Sequence, residues 1–160
     1  MKRSRVVTIA LSVLTTLAIA VPTQAAEPVI VDLYGCVIRL GGEVEVPRRT
    51  NINLVATWRT EAHRQAKKFL DNARAYARID GVKVPQANQY WATPRQLGEP
   101  GEHFWDTTWW YPAGQLTRGE ALVVKFQITL RERQWDGFQF GWYEAGRVFD
   151  PPLKCTITAS

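Results

Sequence analysis

The sequence predicts an all-β antiparallel sandwich with one short surface helix. Three observations carry that prediction. Ala121 to Arg131 alternates strictly, with Leu122, Val124, Phe126, Ile128 and Leu130 separated by mostly polar residues. That period of two gives a strand one buried and one wet face, whereas a helix would scatter the five apolar residues around its circumference. Other short alternating runs are punctuated by Gly, Pro and Asp-Gly turn signals, the pattern of a multi-stranded sandwich. Only residues 61–73 show helical spacing, with Ala62, Ala66, Phe69, Leu70 and Ala73 on one side and Glu61, Arg64, Lys67, Lys68 and Asp71 on the other.

Residues 1–25 read as a secretory signal peptide. Lys2, Arg3 and Arg5 precede a run from Val6 to Val21 without a charge, which Pro22 breaks before the small residues Ala25 and Ala26. The run is shorter than the ~20 residues of a membrane span, so the expectation is a cleaved leader, no membrane insertion afterwards and a secreted product. Residues 26–160 then form a single domain. Three of the 20 basic residues lie in the leader, leaving 17 against 15 acidic ones. A balance so near neutral, with no Lys/Arg stripe, argues against a nucleic-acid partner.

Along the remaining chain, Val29 to Leu40 is rich in β-formers and reads as a first strand, with Gly35 as a bend. Gly41-Gly42 is a turn, and Glu43 to Val46 is a short edge piece ended by Pro47. Asn51 to Trp58 alternates, with Ile52, Leu54, Ala56 and Trp58 facing in and Val55 the exception. Thr60 is placed to cap the helix. Tyr76 to Val84 reads as a hairpin about Asp80-Gly81. Residues 85–103 lack periodicity and read as a long loop. From Phe104 to Tyr111, one face carries Trp105, Thr107, Trp109 and Tyr111, and the other carries Asp106, Thr108 and Trp110. The strand at Ala121 and the run Phe138, Phe140, Trp142 are expected to pair as a long hairpin on either side of Asp136-Gly137. Leu153, Cys155 and Ile157 face inward in the last strand. Cys36 and Cys155 are the only cysteines, and in an exported chain they are expected to form a disulfide tying the first strand to the last.

At Leu116, Gly119, Leu122, Val123 and Val124 the pattern L-x-x-G-x-x-L-V-V resembles the corner leading into a late strand of bacterial immunoglobulin-like and fibronectin-III-like modules. Those modules commonly carry a proline where Arg118 stands. The resemblance spans about ten residues and implies an immunoglobulin-like topology. It implies no activity, because such folds host many functions.

Inventory thins the catalytic options. Beyond the leader the single serine is Ser160, which leaves no serine nucleophile, and both cysteines are assigned to the disulfide. His63 and His103 have no metal-ligand spacing, and no calcium, phosphate or dinucleotide motif is present. The expectation is therefore a protein without metal or cofactor that is not an enzyme. Asp106, Asp136, Glu144 and Asp150 lie near aromatic residues, but Asp80 and Asp136 precede glycine and read as turn formers.

The seven tryptophans are the remaining anomaly. Trp58, Trp105, Trp109 and Trp142 share faces with apolar residues and read as core. Trp91, Trp110, Trp135 and Tyr143 fall on polar faces, turns or loops and are the expected ligand-binding residues. The reading is a secreted, non-catalytic structural or binding module. A polysaccharide or cell-wall ligand held by those aromatics is one alternative. The other is a hydrolase inhibitor presenting the 85–103 loop to a second extracellular protein.

Overall fold

A computed structural model describes residues 27–98, 103–138 and 141–160. The proposed leader lies outside them. The described chain is mostly β. In order it forms β1 (Val29–Asp32), α1 (Leu33–Leu40), β2 (Glu43–Val46), β3 (Asn51–Thr60), α2 (His63–Asn72), β4 (Ala73–Ile79), β5 (Val82–Lys83), a 3-10 turn (Ala87–Tyr90), β6 (Arg95–Leu97), β7 (Phe104–Gln115), β8 (Ala121–Leu130), β9 (Gln134–Trp135), β10 (Trp142–Tyr143), β11 (Gly146–Arg147) and β12 (Leu153–Ala159).

Two sheets pack face to face. One has the order β1-β3-β7-β6, and the other runs β2-β12-β8-β4-β5, with β11 also pairing β8; the expected antiparallel pairing holds except at β1–β3 and β2–β12, which are parallel. Period-two alternation drives this packing. β8 buries Leu122, Val124, Phe126, Ile128 and Leu130, and β12 buries Leu153, Cys155 and Ile157 against the same core. From the opposite sheet come Ile52, Leu54, Trp58 and Trp109, and the Trp109 ring meets Phe126 at 4.9 Å between centroids. Fully burying one such side chain is worth roughly 1.5–3 kcal/mol. The ladder on β8 is therefore a major source of cohesion between the sheets.

The α2 helix forms where its spacing predicts and buries Ala66 and Phe69 against β3 and β7. Phe69 stacks on Trp58 at 4.5 Å and receives the edge of Trp91 at 5.1 Å. The cap differs from expectation. Gln65 Oε1 accepts from the Ala62 N–H at 2.8 Å, while the Thr60 hydroxyl donates to the Ala62 carbonyl. The Asp80-Gly81 turn is as expected. Both residues have positive φ, at 49° and 81°, as a two-residue hairpin requires. Asp80 Oδ1 also accepts from the Val123 N–H at 2.7 Å, which pins the hairpin to β8.

Three expectations are corrected. The first strand stops at Asp32, whose side chain accepts from the Tyr34 N–H and starts a helix that Gly41 ends with φ 68°. Leu33 and Cys36 lie three apart on its buried side, so tertiary burial overrides the β preference of Val37 and Ile38. The disulfide forms between Cys36 and Cys155, with Cα atoms 6.0 Å apart, but it ties this helix rather than a strand to β12. The long hairpin about Asp136-Gly137 is absent among the described residues. The β8 edges are taken by β4, β12 and β11, and among the described residues the pairing that flanks Asp136-Gly137 is confined to the two-residue pair β9–β10.

Candidate functional site

The outward face of the four-stranded sheet carries an ordered set of polar and aromatic side chains. β3 and β7 are antiparallel, with Val55 opposite Trp110, Thr57 opposite Thr108 and Arg59 opposite Asp106. Opposed residues share a face, and their chain neighbours Ala56, Trp58, Thr107 and Trp109 go to the core. Arg59 grips Asp106 as a fork, Nε to Oδ1 and Nη2 to Oδ2, both at 2.8 Å. Charge-assisted bidentate pairs of this kind fix geometry as well as adding attraction. Asp106 is 7 % exposed beneath the fork. The guanidinium also lies 3.8 Å above the Phe104 ring. Beside the fork, the Thr57 and Thr108 hydroxyls are 3.2 Å apart. Next comes Trp110, 40 % exposed. On the β6 side a cleft of about 500 Å³ is lined by Thr93, Arg95, Leu97, Thr108 and Trp110.

A second hollow lies along the other flank of β3. β1 pairs with β3 only as far as Asp32 opposite Val55. Past that point a groove of about 620 Å³ is lined by Tyr34, Trp58, Asp136, Tyr143 and Phe149, with Thr57 and Arg59 on its rim. Asp136 is 5 % exposed. It is held by a local turn in which its Oδ1 accepts from the Phe138 N–H at 2.8 Å and its carbonyl from the Glu61 N–H at 2.9 Å. Burial pushes the Tyr143 hydroxyl above the usual phenol range, and the charge of Asp136 raises it further. Tyr34 and a hydrogen bond to Asp136 add to the shift. The Trp58 indole N–H is buried and has no hydrogen-bond partner among the described residues.

The aromatic residues singled out from the sequence are divided among these surroundings. Trp110 stands on the outward face, and Tyr143 lines the groove beyond the Thr57–Arg59 rim. Trp91 bridges to Trp109 and turns its ring onto Phe69, so it braces the core. Trp135 packs on Trp142 at 5.3 Å and so closely over Gly141 that a Cβ there would run into the ring. Trp142 departs from its expected core position. It is 51 % exposed, with Arg133 above its ring. The expected 85–103 loop is tied down by the 3-10 turn, by β6 and by the Trp109 Nε1–H donating to the Ala87 carbonyl at 2.7 Å; residues 99–102 lie outside the described set.

No family model, no curated protein and no solved structure matches this chain. Its chemistry therefore has to be read from the side chains. His63 stacks on Trp105 and His103 Nδ1 bonds Gln96, and among the described residues no His, Cys, Asp and Glu cluster could hold a metal ion. Both oxygens of Asp106 are committed to Arg59. Among the described residues no helix is long and apolar enough to cross a membrane. Arg59, Tyr34 and the groove-facing role of Asp136 were not anticipated from the sequence. Continuing the alternation of β3 one residue past Trp58 puts Arg59 outward with Thr57, a signal that the expected strand end at Trp58 cut off. Tyr34 and Asp136 gave no comparable signal, because a presumed strand and a turn motif accounted for them.

Proposed function

We propose that the protein is a secreted, non-catalytic binding module of immunoglobulin-like type whose ligand is a polysaccharide. The observation that carries this reading is the exposed Trp110 indole set on a strand beside the Arg59–Asp106 fork and the Thr57–Thr108 pair. An indole offers an apolar face to the C–H side of a sugar ring, and fixed donors and acceptors around it meet the hydroxyls. Paired strands hold those groups more rigidly than a loop would. The clefts on either side of the Thr57–Arg59 rim give a sugar chain room to continue across the strands. The disulfide agrees with an oxidising, extracellular setting. Two packed sheets make a β-sandwich, the class to which the immunoglobulin-like topology implied by the motif at Leu116 to Val124 belongs.

The test is a titration of intrinsic tryptophan emission with a panel of soluble polysaccharides. At least one should shift the emission saturably, and Trp110→Ala should abolish the shift without altering the thermal midpoint. A flat response across neutral, acidic and amino polysaccharides would remove the reading.

A further inference from the structure

We propose that the groove between β3 and the segment carrying Asp136 and Tyr143 is a binding site for a primary ammonium group. Asp136 would serve as the counter-ion, and the phenol oxygens of Tyr34 and Tyr143 as further acceptors. The site stands on its own side chains and does not depend on Trp110 or the cleft beside it.

Three observations converge on it. The first is a negative charge with no positive partner. Asp136 is more than nine-tenths buried, lines the groove and makes no ion pair among the described residues. A carboxylate taken out of water is costly unless a cation or several hydrogen bonds meet it, and here the Phe138 N–H, donating to Oδ1, meets only part of its capacity. Arg59, the basic side chain on the rim, has its charge met by both oxygens of Asp106. Asp136 is the one carboxylate among the residues that line the groove.

The second observation is the set of rings. Tyr143 packs edge-on to Trp58 at 4.6 Å, and Tyr34 lies against Phe149 at 6.2 Å, so two aromatic pairs wall the hollow. The negative faces of such rings attract a cation, more strongly where water is thinned out. The third is the acceptor chemistry. A carboxylate and two phenol oxygens suit the three N–H donors of a primary ammonium, whereas a quaternary ammonium has none to give. A hard metal ion is a poorer match, because it requires about six or more oxygen ligands and one carboxylate faces this groove.

Such an ammonium could belong to an amino sugar or to a lysine side chain. The test follows the ring resonances of Tyr143 and Phe149 by NMR during titration of the whole domain with butan-1-amine hydrochloride, butan-1-ol and tetramethylammonium chloride. The amine should half-saturate the shifts at a concentration at least tenfold below that of the isosteric alcohol and below that of tetramethylammonium. Asp136→Asn keeps an oxygen for the Phe138 N–H and should raise the half-saturation point at least tenfold. Should that variant fail to fold, Tyr34→Phe alters an exposed side chain and should raise it about threefold. Equal response to amine and alcohol, stronger response to tetramethylammonium, or wild-type affinity in the folded variants would overturn the assignment. Glucosamine and an end-blocked lysine, run in parallel, identify the source of the amine. Polysaccharide shifts lost in Trp110→Ala but kept in Asp136→Asn would separate this site from the outward face.

Discussion

Replacing both cysteines, Cys36→Ala with Cys155→Ala, probes how α1 is fastened. The bridge closes a sequence separation of 119 residues. In the chain-entropy treatment a loop of that length contributes about 5 kcal/mol, an upper figure because an unfolded chain is never fully random. Both sulfurs are buried, so alanine also removes packing. The expected loss is about 3–5 kcal/mol, which for a domain of this size lowers the thermal midpoint by roughly 10–20 °C. Urea unfolding at neutral pH measures it, with the reduced wild type as a second readout. The loss has a local consequence as well. Tyr34 lies two residues before Cys36 on the same helix, so loosening α1 should withdraw Tyr34 from the groove and weaken binding there before global unfolding. A double variant within about 1 kcal/mol of wild type would refute the reasoning, since chain entropy alone predicts several times more.

Two further outcomes follow from packing and charge. Phe69→Ala should destabilise by about 3–5 kcal/mol in urea unfolding, because it empties the space between the Trp58 and Trp91 rings under α2; a loss below about 1 kcal/mol would show that α2 is not anchored there. Tyr143 holds its proton longer in the folded protein than in the unfolded chain. Its contribution is therefore complete below the ordinary phenol pKa of about 10 and fades as pH rises through it toward the higher folded value. Urea midpoints of wild type should fall more steeply above about pH 10 than those of Tyr143→Phe, and parallel slopes would contradict the burial of that hydroxyl.

Much of the sandwich was legible where one physical signal dominated. β3, β8 and β12 each bury alternate residues, and burial of one face writes itself into the sequence at period two. Asp80-Gly81 announced its hairpin because few residue pairs accept positive φ in succession. The α1 helix was missed for the opposite reason. Its eight residues include Val37, Ile38 and a glycine, and its helical state rests on the Asp32 cap, the Gly41 stop and the burial of Leu33 and Cys36. Strand pairing was missed at Asp136-Gly137 because edges are claimed by tertiary competition, and β4, β11 and β12 claim those of β8. Trp110 was readable as outward from Asp106 and Thr108 on its own strand. The groove was not readable, since Tyr34, Trp58, Asp136, Tyr143 and Phe149 come from separate segments that only the folded chain brings together.

The most direct test of the binding reading is a map of backbone amide shifts in the isotope-labelled domain with a polysaccharide that shifts its tryptophan emission. Perturbations should cluster at Thr57, Arg59, Thr108 and Trp110, leaving β5 and β12 on the opposite sheet unmoved. Shifts confined to that opposite sheet would contradict the assignment of the outward face as the binding surface.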